Sequence, residues 1–417
     1  MNAFRPRPSL VALAATALLA LTAAVPSAAA APTGPRPSAA LDWYDTTADT
    51  LAVGGASTQV TNSRTWAISW LAAARATRAV PAGVDRSDYQ DAALASAVHD
   101  ALVALVPART EQLDAALRTS LDAIPDGAAE SRGVAAGSRQ AALAVKSRDG
   151  DGLDPASVNA PFTVPAAAPG VWQPTPPAYG PAAQYGNRLA KPFALRGPDQ
   201  FRLPAPPALD SARYKADLAE VRAYGAREGS RRSAHQTETA NFWFGSSLTL
   251  YTRPLRVAVE RAPRSSADRA RLVALFHTAL VDTQIATSDS KYAYERWRPV
   301  TAIRTGDIDR DPLWTPLHDT PAHPDYPSGH NTYAGAAEGI LNALAGPRTA
   351  AFDLTSPTAP GVTRTYTTWH QLTAENVRAR IYSGIHTRSA DEEGVRLGKQ
   401  VASHTLQQGD ALLRPLT

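Results

Sequence analysis

Chemistry-bearing residues concentrate in three short segments of the 417-residue chain: KYAYERWRP at Lys291 to Pro299, PSGH at Pro327 to His330, and ARIYSGIH at Ala379 to His386. Together they offer three fixed cations (Lys291, Arg298, Arg380), the Ser328 hydroxyl, the Gly329 amide and two imidazoles (His330, His386). A tetrahedral oxyanion that becomes five-coordinate needs such a set. Cations and N–H groups hold its oxygens, one imidazole stands axial on the central atom, and another moves protons. Each charge-assisted hydrogen bond contributes about 1.5–3 kcal/mol. The chemistry is that of phosphate or vanadate.

Local structure must aim these groups. Lys291 and Arg298 are seven apart, which on one helix puts them within about 20° of a common face and about 10 Å along the axis. In PSGH, proline restricts the entry, serine can cap and glycine lets a ligand approach the backbone. The Ala-rich helix that follows turns its free N–H groups and dipole toward an anion, with His330 in its first turn. Arg380 and His386 are six apart, about 120° off a common helical face, so the helix must stop between them for both to reach one ligand. Gly384 supplies that stop.

The elements around these segments read as helices. From Ser63 to about Asp149 the sequence is Ala/Leu-rich with helical spacing, Ser87 and Thr110 reading as caps. Between Asp151 and Asp210 lie 13 of the 34 prolines, interleaved with Trp172, Tyr179, Tyr185, Phe193 and Phe201. Prolines that dense forbid regular helix, and aromatics that dense require burial. An ordered arm wrapped over a helical body, able to roof a pocket, is expected. Helical spacing resumes after Asp210, with further helices after Gly329, around Thr368 to Tyr382 and near Asp391 to Gln407. Alternating strand patterns are almost absent. The fold class is all-α, a helical bundle with long irregular Pro-rich connections. The expected organisation is a leader over 1–30, an N-terminal arm over 31–62, an N-terminal helical region over 63–265 that includes the Pro-rich arm 151–209, and a C-terminal oxyanion-binding region over 266–417.

In order and spacing the three segments resemble the vanadium-dependent haloperoxidase and type 2 phosphatidic acid phosphatase superfamily. Its K-x6-R-P, P-S-G-H and S-R-x5-H signature stands here as Lys291-x6-Arg298-Pro299, Pro327-Ser328-Gly329-His330 and Ala379-Arg380-x5-His386. The resemblance covers roughly residues 282–398, and the earlier half is similar, more loosely, to the secreted bacterial haloperoxidase-like branch. It implies a helical bundle in which Lys291, Arg298, Ser328, Gly329 and Arg380 grip the oxyanion. His386 bonds vanadium, or phosphorus in a phosphatase, and His330 is the acid–base group. Vanadate is the implied cofactor, and phosphate could occupy the same site. His323, seven before His330, is similar to a histidine of the bromoperoxidases and is a candidate for halide oxidation. The sequence departs from the pattern at Ala379, where serine is usual, and at Ala390, where many members carry an aspartate that orients the ligand histidine. Asp391 is the neighbouring carboxylate that could shift into that place.

Residues 1–30 run from Arg5 and Arg7 through an apolar stretch at about Leu10 to Val25 into small residues at Ser27 to Ala31, the order of a secretory signal peptide. Its removal takes two of 42 basic groups and none of 38 acidic ones, leaving a balance of +2 that makes no demand for nucleic acid. No second apolar run is long enough for an integral membrane span. There is no Cys, and the single Met is the initiator, so the exported chain would hold no sulfur, the group strong oxidants attack first. The leading reading is a secreted vanadate-dependent haloperoxidase that oxidises halide, bromide ahead of chloride, with hydrogen peroxide. The alternatives are a phosphatase acting on a phosphate ester through a phosphohistidine at His386, and a catalytically silent oxyanion-binding secreted protein.

Overall fold

The structure, a computed structural model, describes residues 38–263 and 265–417. The expected leader, and the beginning of the expected N-terminal arm, lie outside the described residues.

Among these residues the chain forms fourteen α-helices: α1 (Ala39–Gly54), α2 (Gln59–Ala76), α3 (Arg86–Leu105), α4 (Thr110–Asp122), α5 (Ala128–Lys146), α6 (Ala212–Gly225), α7 (Ala234–Phe242), α8 (Ser247–Arg261), α9 (Ser266–Tyr294), α10 (Pro299–Thr305), α11 (Gly329–Ala345), α12 (Trp369–Tyr382), α13 (Arg388–Gln407) and α14 (Gly409–Leu412). One two-stranded antiparallel hairpin, β1 (Arg348–Thr355) and β2 (Thr363–Thr368), pairs Phe352 with Tyr366 and is a small exception to the all-helical expectation. Residues Pro37–Thr417 make one compact unit. α9 is buried on nearly every face, its apolar first half in the core and the polar residues of its second half, from Asp282 to Lys291, all but Gln284 buried against neighbouring elements. It packs against α2, α3, α8, α11 and α13, so the N-terminal helices and those bearing the motifs share one core.

Two expected caps move. α3 is capped by Asp85, whose carboxylate accepts from the Asp88 amide, while Ser87 sits inside the first turn. Thr110 opens α4 and turns its hydroxyl onto the Pro107 carbonyl, leaving Arg109 at the cap position. A carboxylate placed before the turn is the stronger acceptor for free N–H groups.

The Pro-rich segment is an ordered arm clasped along α9. The fully buried Asp282 carboxylate accepts from the amides of Phe193, Ala194 and Leu195 at 2.7, 2.6 and 2.9 Å. Two turns on, Asp289 accepts from Arg202 at 2.7 Å and Arg188 at 3.3 Å. The Tyr292 and Tyr294 hydroxyls then donate to the Ala183 and Leu203 carbonyls. Proline-rich chain has few amides to pair internally, so α9 takes them up.

The α11–α13 crossing brings two motifs together. A Cβ at Gly398 would lie 2.0 Å from the Thr332 carbonyl oxygen and one at Gly394 2.8 Å from that of Ser328, so only glycine permits this approach. The Ser328 amide donates to the Ala390 carbonyl at 2.9 Å, tying the start of α11 to the first turn of α13.

Candidate active site

Lys291 and Arg298 converge, but not on one helix. α9 ends at Tyr294 because Glu295 takes a left-handed φ of 47°. The chain then runs beside the arm, with the Trp172 amide on the Glu295 carbonyl (2.6 Å) and the Trp297 amide on the Gly170 carbonyl (2.9 Å). Arg298 stands at the N-cap position of α10, ahead of Pro299. Lys291 Nζ donates to the Pro324 and Asp325 carbonyls. Fully buried Arg298 donates through Nε to the His323 carbonyl (2.6 Å), through one terminal nitrogen to the Ile385 carbonyl (2.7 Å) and His386 Nε2 (3.1 Å), and through the other to His323 Nδ1 (3.0 Å).

His386 has a defined orientation. Its Nδ1–H donates to Asp325 Oδ1 at 2.7 Å, which leaves Nε2 with a lone pair facing the Arg298 guanidinium. Both partners are about 1% exposed. The other Asp325 oxygen accepts from the Thr387 hydroxyl at 2.7 Å. Asp391 therefore does not take the orienting role. It accepts from Asn331 Nδ2 at 2.7 Å and lies against Ser328. Asp325 was not among the residues singled out by sequence. Its only signal is a carboxylate three positions before Ser328, in a proline-flanked turn of the kind that ordinarily holds a solvated aspartate.

Ser328 occupies the N-cap position of α11, yet its side chain makes no capping bond. Gly329 follows with its Cβ direction open: the nearest atom is a Thr287 methyl carbon, 4.0 Å away. His330 Nε2–H donates to the Gly245 carbonyl at 3.0 Å, leaving the Nδ1 lone pair available. In the last turn of α12, buried Arg380 donates to the Trp243 carbonyl at 3.1 Å, while its Nε has no hydrogen-bond partner. α12 stops at Tyr382, and Gly384 follows with φ of 78°, where a Cβ would meet the Gly225 carbonyl oxygen at 2.4 Å. The stop expected at Gly384 is present, and His386 follows it.

The electrostatics are those of a crowded, largely buried cationic cage. Burial, then the Arg298 charge, drives Lys291 well below the ordinary lysine range, although Asp325 and Asp391 oppose it. Burial pushes Arg298 and Arg380 down to about 10. Burial, then the Arg380 charge, depresses His330 to about 3, and burial with the Arg298 and Lys291 charges drives His386 well below the ordinary histidine range. His323 is lowered by burial and by Lys291 and Arg298. These couplings place Lys291, Arg298, Arg380, His323, His330 and His386 in one another's fields. Asp391, buried and beside Asp325, is raised well above the carboxylate range.

These residues fit a small tetrahedral oxyanion. Such a guest would supply the negative charge that three crowded cations lack. It would give Arg380 Nε a partner, and occupy the open space before Gly329 and the first N–H groups of α11.

Residues 271–415 match the VCPO second helical-bundle domain family. A vanadium chloroperoxidase of Curvularia inaequalis is 28% identical, the match taking in 49% of this chain and 45% of that protein, so the chain spans less than half of that relative's length. The structure of a bacterial vanadium-dependent iodoperoxidase superposes with a TM-score of 0.72 at 25% identity, over 88% of this chain and 95% of that one. The holo form of a bacterial vanadium-dependent chloroperoxidase shares the fold, with a TM-score of 0.67 at 17% identity over 89% of this chain and 93% of that one.

Proposed function

We propose, for a chain whose residues 271–415 belong to the VCPO second helical-bundle domain family, that this protein is a secreted vanadate-dependent haloperoxidase oxidising halide with hydrogen peroxide. The observation that carries the reading is the buried Asp325–His386–Arg298 line, which fixes one imidazole tautomer and points its unprotonated Nε2 at the Arg298 guanidinium, inside a cage of cations.

Lys291, Arg298, Arg380, the Ser328 hydroxyl and the Gly329 amide would hold the oxygens of vanadate, and His386 Nε2 would bond the metal. Bound vanadate supplies a Lewis acid that makes peroxide oxygen open to attack by halide. His386 can serve as ligand without losing a proton, because Asp325 already holds its N–H on the far side. His330, anchored through Nε2 on Gly245, accepts a proton at Nδ1 from incoming peroxide and returns it to the departing oxygen. The buried wall keeps bulk water from the cations, so each hydrogen bond to the guest retains about 1.5–3 kcal/mol. His323 stands beside Arg298 at the same cage, and we assign it to halide oxidation, with bromide ahead of chloride. Among the described residues no helix is long and apolar enough to cross a membrane. Export rests on the leader-like residues 1–30.

The test is a paired assay of the purified chain with and without orthovanadate. One arm follows bromination of a phenolic dye with bromide and peroxide, the other release of a chromogenic phosphate ester. Vanadate-dependent bromination is the expected result. Ester hydrolysis that vanadate inhibits, without bromination, would replace this reading with the phosphatase. A folded chain with neither activity would leave a silent oxyanion binder.

A further inference from the structure

Glu375, a half-buried carboxylate of α12, takes no part in the cationic cage, yet both of its oxygens are engaged. Oε2 accepts from the Trp243 indole N–H at 3.1 Å and from the Tyr366 hydroxyl, and Oε1 accepts from the Arg364 guanidinium. Arg364 reaches on to α7, donating to Glu238 Oε1 at 2.9 Å and to Thr239 Oγ1 at 3.0 Å. Strand β2 thus staples α7 to α12. The Trp243 ring is fully buried among Phe242, Tyr251 and Tyr366, so its one polar group depends on Glu375 for a partner.

Trp243 opens the short connection from α7 to α8, which carries two acceptors of the cage. The Trp243 carbonyl accepts from Arg380 and the Gly245 carbonyl from His330 Nε2. Backbone bonds hold this connection weakly: the Trp243 and Phe244 amides reach the Thr239 and Asn241 carbonyls at 3.2 and 3.3 Å, the long end of the N–H···O range. Side chains do more. Phe244 stacks on His318 with ring centres 4.1 Å apart, and the Thr358 hydroxyl donates to the Asn241 carbonyl at 2.6 Å. Glu375 and Arg380 lie five residues apart on α12, about 7.5 Å along its axis. One helix therefore grips Trp243 twice, at the indole through Glu375 and at the carbonyl through Arg380.

We propose that Glu375 is a positioning residue of the cage: by fixing the Trp243 indole it sets the Trp243 and Gly245 carbonyls, and through them the aim of Arg380 and the tautomer of His330. The anchoring is independent of what the cage binds. Its effect on turnover rests on the haloperoxidase reading, in which His330 moves protons. The β1–β2 hairpin gains a task in this arrangement, because Arg364 and Tyr366 orient the Glu375 carboxylate toward the indole. With that carboxylate gone, the buried indole N–H has to find another acceptor, and the connection shifts with it. The Gly245 carbonyl then no longer holds the Nε2–H tautomer that leaves His330 Nδ1 open to a proton. A displacement of about 1 Å at such a group costs up to about a hundredfold in rate.

Nitrogen-15 spectra of the histidine rings in the full chain, recorded without vanadate and assigned with His330→Ala and His386→Ala, read the anchoring directly. Glu375→Leu should shift the His330 signals and leave in place those of His386, which Asp325 holds independently. Trp243→Phe keeps a buried ring but no N–H and should give a comparable shift. In that background Glu375→Leu should add nothing. An unmoved His330 signal, an equal shift at His386, or a Glu375→Leu shift that persists at full size without the indole N–H overturns the proposal. If Glu375→Leu does not fold, Trp243→Phe alone decides, by whether His330 moves while His386 stays. In the vanadate-loaded enzyme, Glu375→Leu should lower bromide turnover about ten- to a hundredfold. Undiminished turnover beside a shifted His330 signal overturns the positioning role. A parent chain that oxidises no bromide, while its His330 signal still answers to Glu375, counts against the haloperoxidase reading and leaves the anchoring in place.

Discussion

Gly329→Ala separates anion binding from folding. The added methyl group would find only the Thr287 methyl carbon, at 4.0 Å, an ordinary van der Waals contact, and the residue is the first of α11 with no left-handed φ. Folding loses nothing, and restricting the unfolded chain should stabilise the protein by about 0.4–1 kcal/mol. The same methyl fills the space through which an anion would reach the first N–H groups of the helix. Losing one charge-assisted hydrogen bond there costs about 1.5–3 kcal/mol, roughly a ten- to hundredfold rise in dissociation constant. Thermal unfolding of the unliganded protein reads the first effect, and calorimetric titration with orthovanadate, repeated with phosphate, reads the second. An unchanged or higher melting temperature with weakened binding of both anions is expected. Undiminished affinity would show that the open side of Gly329 is not where the oxyanion sits, and a marked fall in stability would show that the space is not open.

His386→Ala should abolish tight vanadate retention in equilibrium dialysis, whereas His330→Ala should spare retention and lower turnover by about 10²–10⁴; equal losses in both variants would contradict the division of roles. Asp325→Asn should alter the 15N signature of His386 by replacing the charged acceptor of its Nδ1–H with a neutral amide, while Asp391→Asn leaves it unchanged; the opposite pattern would return the orienting role to Asp391. A third test concerns acid stability. His277 is 2% exposed, stacks on Trp66 with ring centres 4.5 Å apart, and has neither ring nitrogen hydrogen-bonded, so burial pushes it down to about 3. Its folded value lies below the unfolded one of about 6.5. The neutral ring thus contributes stability above pH 6.5 that is lost as pH falls toward 3, at up to about 1.4 kcal/mol per unit. Denaturant titrations should show a flatter acid limb in His277→Phe, and an unaltered limb would refute this origin.

What the sequence made legible was local. Helical spacing placed α11, α12 and α13, and the glycine after Tyr382 marked the stop that frees His386 to turn. The motif cations, hydroxyl and imidazoles could be selected because their types suit an oxyanion. What escaped depends on contacts distant in sequence. The break after Tyr294 is held by the arm at Gly170 and Trp172, more than a hundred positions earlier, so the seven-residue spacing of Lys291 and Arg298 read as one continuous helix. Asp325 meets His386 across 61 residues, and a single carboxylate between prolines carries no periodicity. The β1–β2 hairpin was missed because its buried positions, Phe352, Leu354 and Tyr366, are too few to set an alternating pattern above the background.

The clasp between Asp282, Asp289 and the arm bears on how small a working version of this protein could be. Residues 271–415 hold every group of the anion cage, which invites trimming the chain to that piece. Trimmed so, Asp282 would surrender three backbone partners and Asp289 both arginines, and the α9 flank that carries Lys291 would become wet surface. The peptide that ends α9 and aims Arg298 would lose its edge pairing as well. Miniaturisation has to keep the proline-rich stretch, which serves the helices around the cationic cage as an external splint.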